Sequence, residues 1–127
     1  MLLLYIAIGS ALGGVARYVL GTAIQRPGHF PFGTLLVNVL GAFVLGFVMR
    51  LATDTTHVPP EARAFLTVGF CGGFTTFSTF SWEVLALAEQ GAWGRAATYL
   101  LASVTLSLAA CIAGMAAGRE TAVSLSS

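Results

Sequence analysis

Gly69-Phe70-Cys71-Gly72-Gly73-Phe74-Thr75-Thr76-Phe77-Ser78-Thr79-Phe80-Ser81 lies uncharged inside a long apolar segment, yet it is poorly suited to continuous helix. Each interior glycine costs about 1 kcal/mol relative to alanine, and the Thr/Ser run offers hydroxyls that compete for backbone hydrogen bonds. A bilayer tolerates a break in a spanning helix only where the break is buried in protein or lines a polar path. The stretch therefore predicts a broken helix at mid-membrane depth with a permeation or binding site beside it.

Composition names the solvent around that break. Hydrophobic residues make up 57% of the 127-residue chain and charged residues 9%. The mean hydropathy is +0.87. So few charges cannot clothe a water-soluble globule. Four apolar stretches, Leu2–Ile24, Phe32–Ala52, Ala62–Ala88 and Trp93–Gly118, are each near or above the ~20 residues needed to cross the hydrocarbon core. The connections at His29–Pro31, Asp54–Pro60 and around Gly91 are short, so residues 1–120 read as one membrane domain without a soluble appendage. Residues 121–127 read as a small, polar, disordered tail.

Leu2–Ile24 lacks a basic leading region and a small-residue cleavage site and carries Arg17, so it reads as a retained span rather than a secretion signal. Cys71 and Cys111 fall in different spans without CxxC spacing or a neighbouring His, which fits buried apolar thiols and neither a metal site nor a disulfide framework. No nucleophile–base pair or phosphate loop is present, and an enzyme is not expected. Nothing points to a nucleic-acid partner.

All six basic residues are arginines. Setting Arg17 aside, Arg50, Arg63 and Arg119 fall on one side of the membrane and Arg26 and Arg95 on the other. Orientation normally follows a Lys/Arg excess in cytoplasmic loops, so this near tie predicts insertion both ways up. Four spans of this length do not readily enclose a pathway alone, which favours an antiparallel homodimer about a two-fold axis in the membrane plane. Gly9/Gly13, Ser10/Gly14 and Gly114/Gly118 are small-residue pairs at i, i+4, suited to close packing within the chain or between two copies. Trp82, Trp93 and Tyr5 read as interfacial anchors.

Turn chemistry marks the boundaries. Pro27-Gly28-His29-Phe30-Pro31 precedes the second span, and Pro59-Pro60-Glu61 suits the start of the third, with Pro in the first turn and Glu at the positive end of the helix dipole. His29 and His57 thus fall in loops. Inside the spans, Thr34 and Asn38 share a face at i, i+4, and Tyr99, Ser103 and Ser107 repeat at i, i+4, i+8. Ser and Thr in membranes commonly bond neighbouring helices, but Asn38 carries two strong donors and is costly to bury alone. Phe77 and Phe80 lie three apart, their rings interleaved with hydroxyls next to the break. Ring edges are electropositive and contact an anion without offering a full charge. A path lined by ring edges, an amide and hydroxyls suits a small anion and does little for a cation.

Three motifs carry a family resemblance: Gly9–Tyr18 (GSALGGVARY), Gly33–Gly46 (GTLLVNVLGAFVLG) and Gly69–Ser81 (GFCGGFTTFSTFS). With them, and with its segmentation over essentially its whole length, the chain resembles the Fluc (CrcB) family of fluoride channels, small bacterial and archaeal membrane proteins that export fluoride passively. One departure stands at Ala42, where the family often has Ser. The resemblance implies an all-α membrane protein of four transmembrane helices, the third broken mid-membrane, forming a dual-topology antiparallel homodimer with two pores in a bacterial-type plasma membrane. It implies that Phe77 and Phe80 line each pore with their edges, that Asn38 is the pore amide, and that Tyr99, Ser103 and Ser107 form a polar track. It places Glu83 near one pore mouth and Arg17 at the opposite vestibule. The backbone carbonyls of Gly72 and Thr75 match those holding a structural sodium ion at the dimer interface. Beside this implication, breaking the helix at Gly72-Gly73 frees carbonyls that need partners, either a hard cation or waters and Thr75, Thr76 and Thr79 hydroxyls.

Two other classes share the size. A small proton-coupled multidrug exporter needs a carboxylate deep in a span, typically the first, and Leu2–Ile24 has none. A purely structural membrane subunit accounts for neither Asn38 nor the broken stretch.

Overall fold

A computed structural model describes all 127 residues, and the chain is helical throughout without a strand. Helix α1 spans Leu2–Ile24 and α2 spans Phe32–Asp54. A short α3, Pro60–Ala64, runs into a π-helical stretch at Phe65–Cys71 and a single α-turn, α4, at Gly72–Phe74. Helix α5 covers Phe77–Glu89 and α6 covers Trp93–Ser126. Three of these, α1, α2 and α6, are each long and apolar enough to cross a membrane. Large apolar side chains such as Leu3, Val15, Val19, Leu101, Leu108 and Ile112 are more than half exposed, the surface of a protein whose surroundings are lipid.

The ends follow from local chemistry. Gly28 and Gly91 have φ of +77° and +78°, the left-handed region that a side chain resists, and they turn the chain out of α1 and α5. Pro59 and Pro60 open α3 with Glu61 in its first turn.

Helix α2 packs along α6, and α1 packs along the π-helical stretch and α4. Both seams are made by missing side chains. A Cβ on Gly9 or Gly13 would overlap the carbonyl oxygens of Phe65 and Phe70, and one on Gly114 or Gly118 would overlap those of Phe43 and Phe47. The two glycine pairs therefore serve packing within the chain, backbone against backbone.

Two expectations are corrected here. Gly72 and Gly73 are helical, and the interruption falls two residues later, at Thr75 (φ −94°, ψ 157°) and Thr76 (φ −149°, ψ 123°). Gly73 is needed for approach, since a Cβ there would overlap the Ser10 carbonyl of α1. Residues 121–127 are also no disordered tail, because α6 continues to Ser126. Thr121 and Ser126 donate their hydroxyls back to the carbonyls of Ala117 and Ala122 within the helix, and Ala122 is buried.

Candidate functional site

Interrupting a helix strands the backbone groups on both sides of the gap, and each must find another partner away from water. The Thr76 N–H, which in an unbroken helix would bond the Gly72 carbonyl, donates instead to Asn38 Oδ1 at 2.8 Å. Asn38 Nδ2 in turn donates to the Thr76 carbonyl at 3.0 Å, so one side-chain amide on α2 satisfies both faces of one peptide-bearing residue. The Gly73 carbonyl accepts from Arg17 Nε of α1 at 3.0 Å. Helix α5 then restarts under a threonine cap, with Thr76 Oγ1 accepting from the Thr79 N–H at 3.3 Å. The ladder donors proper to the Gly72 and Thr75 carbonyls, the N–H groups of Thr76 and Thr79, are thus both spent elsewhere.

Two hollows flank the gap, and Thr76 lines both. The first is a groove of 420 Å³ that gathers Asn38, Phe77, Phe80, Ser103 and Ser107, together with Gly72 and Thr75. Asn38 has one donor engaged with Thr76, which leaves its second amide hydrogen available to the groove. Ser103 Oγ is buried there with no hydrogen-bond partner. A buried hydroxyl left unpaired costs about 1–3 kcal/mol, so Ser103 carries hydrogen-bonding capacity that nothing else in the chain uses. Phe77 and Phe80 stand 5.7 Å apart at 49°, but differ in setting: Phe77 is 79% exposed and Phe80 7%.

The second hollow, of 540 Å³, is charged. It is lined by Arg17, Arg26, His29, Gln25, Thr34 and Glu83, among others. Sequence reasoning set Arg17 and Glu83 at opposite ends of a path, whereas within one chain they share this hollow. The reason is helical pitch: Arg17 lies two turns before the end of α1, and Glu83 lies less than two turns into α5, which starts at mid-chain depth. The two charges do not pair. Glu83 Oε1 accepts from the Tyr99 hydroxyl at 2.9 Å and Oε2 from Gln25 Nε2.

Tyr99 also departs from expectation. It is fully buried and does not line the groove; its ring is held edge-on by Phe80 and Phe30, at 5.1 and 5.5 Å, leaving only the hydroxyl to reach Glu83. The i, i+4, i+8 track on α6 is therefore split, Ser103 and Ser107 facing the groove and Tyr99 bracing the carboxylate. Thr34 and Asn38 likewise share a face without sharing a task. Sequence reasoning missed Gln25. Its only signal was position, a polar residue directly after the apolar run of α1 and before Arg26-Pro27.

Fold and site together define a polytopic helical membrane protein in which polar groups converge on one interrupted segment. The sequence matches the family model described as CrcB-like protein, camphor resistance, over residues 4–115. Relatives agree over most of their length. The fluoride-specific ion channel FluC of Geobacter sulfurreducens is 49% identical over 120 residues, covering 93% of this chain and 97% of that protein. The proteins of the same name from Agrobacterium fabrum and Anaeromyxobacter dehalogenans are 45% identical over 117 residues and 50% over 113, covering 91% and 87% of this chain and 94% and 90% of those proteins. The chain belongs to the CrcB family.

Proposed function

We propose that this chain is a passive, fluoride-selective anion channel that exports fluoride across a bacterial-type plasma membrane and confers fluoride resistance, working as an antiparallel homodimer with two pores. The observation that carries the reading is the groove. It offers one free amide hydrogen from Asn38, the unpaired Ser103 hydroxyl, the Ser107 hydroxyl and two phenyl rings, with no charged residue among its lining. Fluoride is compact and strongly hydrated, so a path must replace its water with close neutral donors while giving a larger anion too little room. The names borne by the relatives point to the same ion.

Residues Pro60 to Glu89 form the remaining membrane crossing, broken at Thr75–Thr76, so that the chain crosses four times. The groove is open along one side, and Phe77 is largely exposed in the single chain. A second, inverted copy closes that side and turns two open grooves into two enclosed paths. At the two-fold axis, the carbonyls of Gly72 and Thr75 from both chains form a compact set of neutral oxygens suited to a hard monovalent cation, most simply sodium. Their fit rests on the diverted ladder donors, since the N–H groups that would bond these two carbonyls in an unbroken helix go to Asn38 and to the Thr76 hydroxyl instead. Such an ion braces the interrupted segments and adds positive potential beside the anion paths.

The deciding experiment uses a fluoride electrode outside potassium-fluoride-loaded proteoliposomes with valinomycin. Passive fluoride efflux with little chloride efflux is expected; efflux requiring a proton gradient, or equal chloride efflux, overturns the reading. For the assembly, three lysines added to the Asp54–Pro60 loop should fix one orientation and cut flux, and an oppositely biased partner should restore it. A wild type labelled on loop cysteines in one orientation only removes the antiparallel dimer.

A further inference from the structure

The charged hollow contains a residue that the channel reading leaves without a task, and its geometry assigns one. Gln25 is the residue that ends α1. Its side chain reaches two other helices at once. Gln25 Oε1 accepts from the Thr34 backbone N–H at 3.1 Å and from the Thr34 hydroxyl at 3.4 Å, both at the start of α2. Its Nε2 donates to Glu83 Oε2 on α5. The orientation of a side-chain amide is set by its hydrogen-bond network. A backbone N–H can only donate, so Thr34 dictates which end of the amide is oxygen, and the NH2 must face Glu83. Tyr99 holds the other carboxylate oxygen from α6.

We propose that Gln25 is a positioning residue that pins the Glu83 carboxylate to the wall of the hollow and so keeps it off Arg17. Arg17 and Glu83 line the same 540 Å³ space, and opposite charges free to move in such a space pair. Pairing would cancel the positive potential that draws an anion toward the groove and would fill the passage with two side chains. Each carboxylate oxygen already accepts one hydrogen bond, Oε2 from Gln25 and Oε1 from Tyr99, and these two bonds fix where the carboxylate sits. Arg17 is anchored by Nε alone on the Gly73 carbonyl, which leaves its two terminal nitrogens without a protein partner and open to the hollow. Attraction of the anion thus depends on a glutamine that need not touch it. The inference rests on the channel reading for its effect on flux, but the Gln25–Glu83 coupling stands or falls by itself.

The test is a double-mutant cycle on the full-length reconstituted protein with Gln25→Ala, Glu83→Gln and both together. Collapse of the freed carboxylate onto Arg17 predicts fluoride flux severalfold lower in Gln25→Ala at low ionic strength, with a flattened dependence on ionic strength. The double variant should pass more fluoride than Gln25→Ala alone and as much as Glu83→Gln alone, because no carboxylate remains to collapse onto Arg17. A merely structural Gln25 lowers flux equally in both backgrounds, which overturns the proposal. Thermal unfolding in detergent supplies a cycle independent of transport: the loss in midpoint from Gln25→Ala should shrink in the Glu83→Gln background, and additive losses overturn the proposal even if flux behaves. If the wild type passes no fluoride, the channel reading falls, and the unfolding cycle still decides whether Gln25 positions Glu83.

Discussion

The two hollows that meet at Thr76 are opposites in chemistry although only one residue separates them. The groove holds amide, hydroxyl, backbone carbonyl and ring edge without a formal charge, whereas its neighbour carries two arginines, a glutamate and a histidine. An ion is attracted at long range by net charge and selected at short range by the spacing of neutral donors, and a single site cannot do both well: a full positive charge at the narrowest point would bind the anion too tightly to release it. On the proposed channel reading the two tasks fall on either side of the interrupted segment, attraction in the charged hollow and selection in the neutral groove. Asn38 and Arg17, one facing each side, are also the two side chains that hold the interruption together.

The sharpest way to break this division is to put a charge on the neutral side. Asn38→Asp keeps the shape but loses the donor to the Thr76 carbonyl, sets a carboxylate oxygen against it and faces an anion with a negative charge. Flux should fall about a hundredfold or more, the equivalent of ~3 kcal/mol in barrier, as read by the fluoride electrode with the dimer retained on gel filtration. Near wild-type flux would mean that the groove is not the path.

The ring pair comes next, and burial separates its members. Phe80→Ile removes an edge-on partner of Tyr99 from a packed position and should lower both flux and the unfolding midpoint, the latter by an amount equivalent to about 1–3 kcal/mol. Phe77→Ile alters a ring with little packing in the chain and should lower flux about tenfold with a much smaller change in midpoint. Equal thermal penalties would show that Phe77 is covered as fully as Phe80 in the assembly.

Replacing sodium with a large organic cation throughout purification and assay should lower flux and dimer stability together, by roughly the 1–3 kcal/mol that unpaired buried carbonyls cost. No response, with no anomalous density from a heavier substitute between the Gly72 and Thr75 carbonyls, removes the cation. The smallest effect belongs to the charged side. Arg17→Gln keeps a donor for Gly73 while removing the charge, so flux should fall only severalfold at low ionic strength and hardly at high. A loss of flux independent of salt would assign Arg17 to the suture alone.

Legibility in the sequence followed the range of the forces involved. Leu2–Ile24 was read to the residue, because the end of α1 depends on an apolar run and a Pro-Gly turn that are local. The interruption was anticipated but set at Gly72-Gly73, because propensity counts glycine as a breaker while its use here is contact with Ser10, far away in the chain. The tail was misjudged for a similar reason: a short polar ending looks disordered unless the burial of Ala122 is known. Asn38, Phe77, Phe80, Ser103 and Ser107, singled out in the sequence by residue type and spacing, come together around one groove, and their part in permeation is the proposal. Gln25 was not singled out, since a glutamine at a helix end is unremarkable until Thr34 and Glu83 are brought to it.

The suture of the break also sets an order of events during synthesis. Arg17 and Asn38 both precede Thr75–Thr76 in the chain, so the side chains that must receive the loose Gly73 carbonyl and the Thr76 peptide groups leave the ribosome first. A segment carrying unpaired backbone groups is a poor passenger in lipid by itself. Arriving third, it meets two helices already carrying its missing partners, and the gap can settle as it enters. Were the same helices joined in another order, with the interrupted segment first, it would have to wait in the bilayer with its polar backbone bare. Circular permutants that move α1 and α2 behind α5 would pose that problem directly to the insertion machinery.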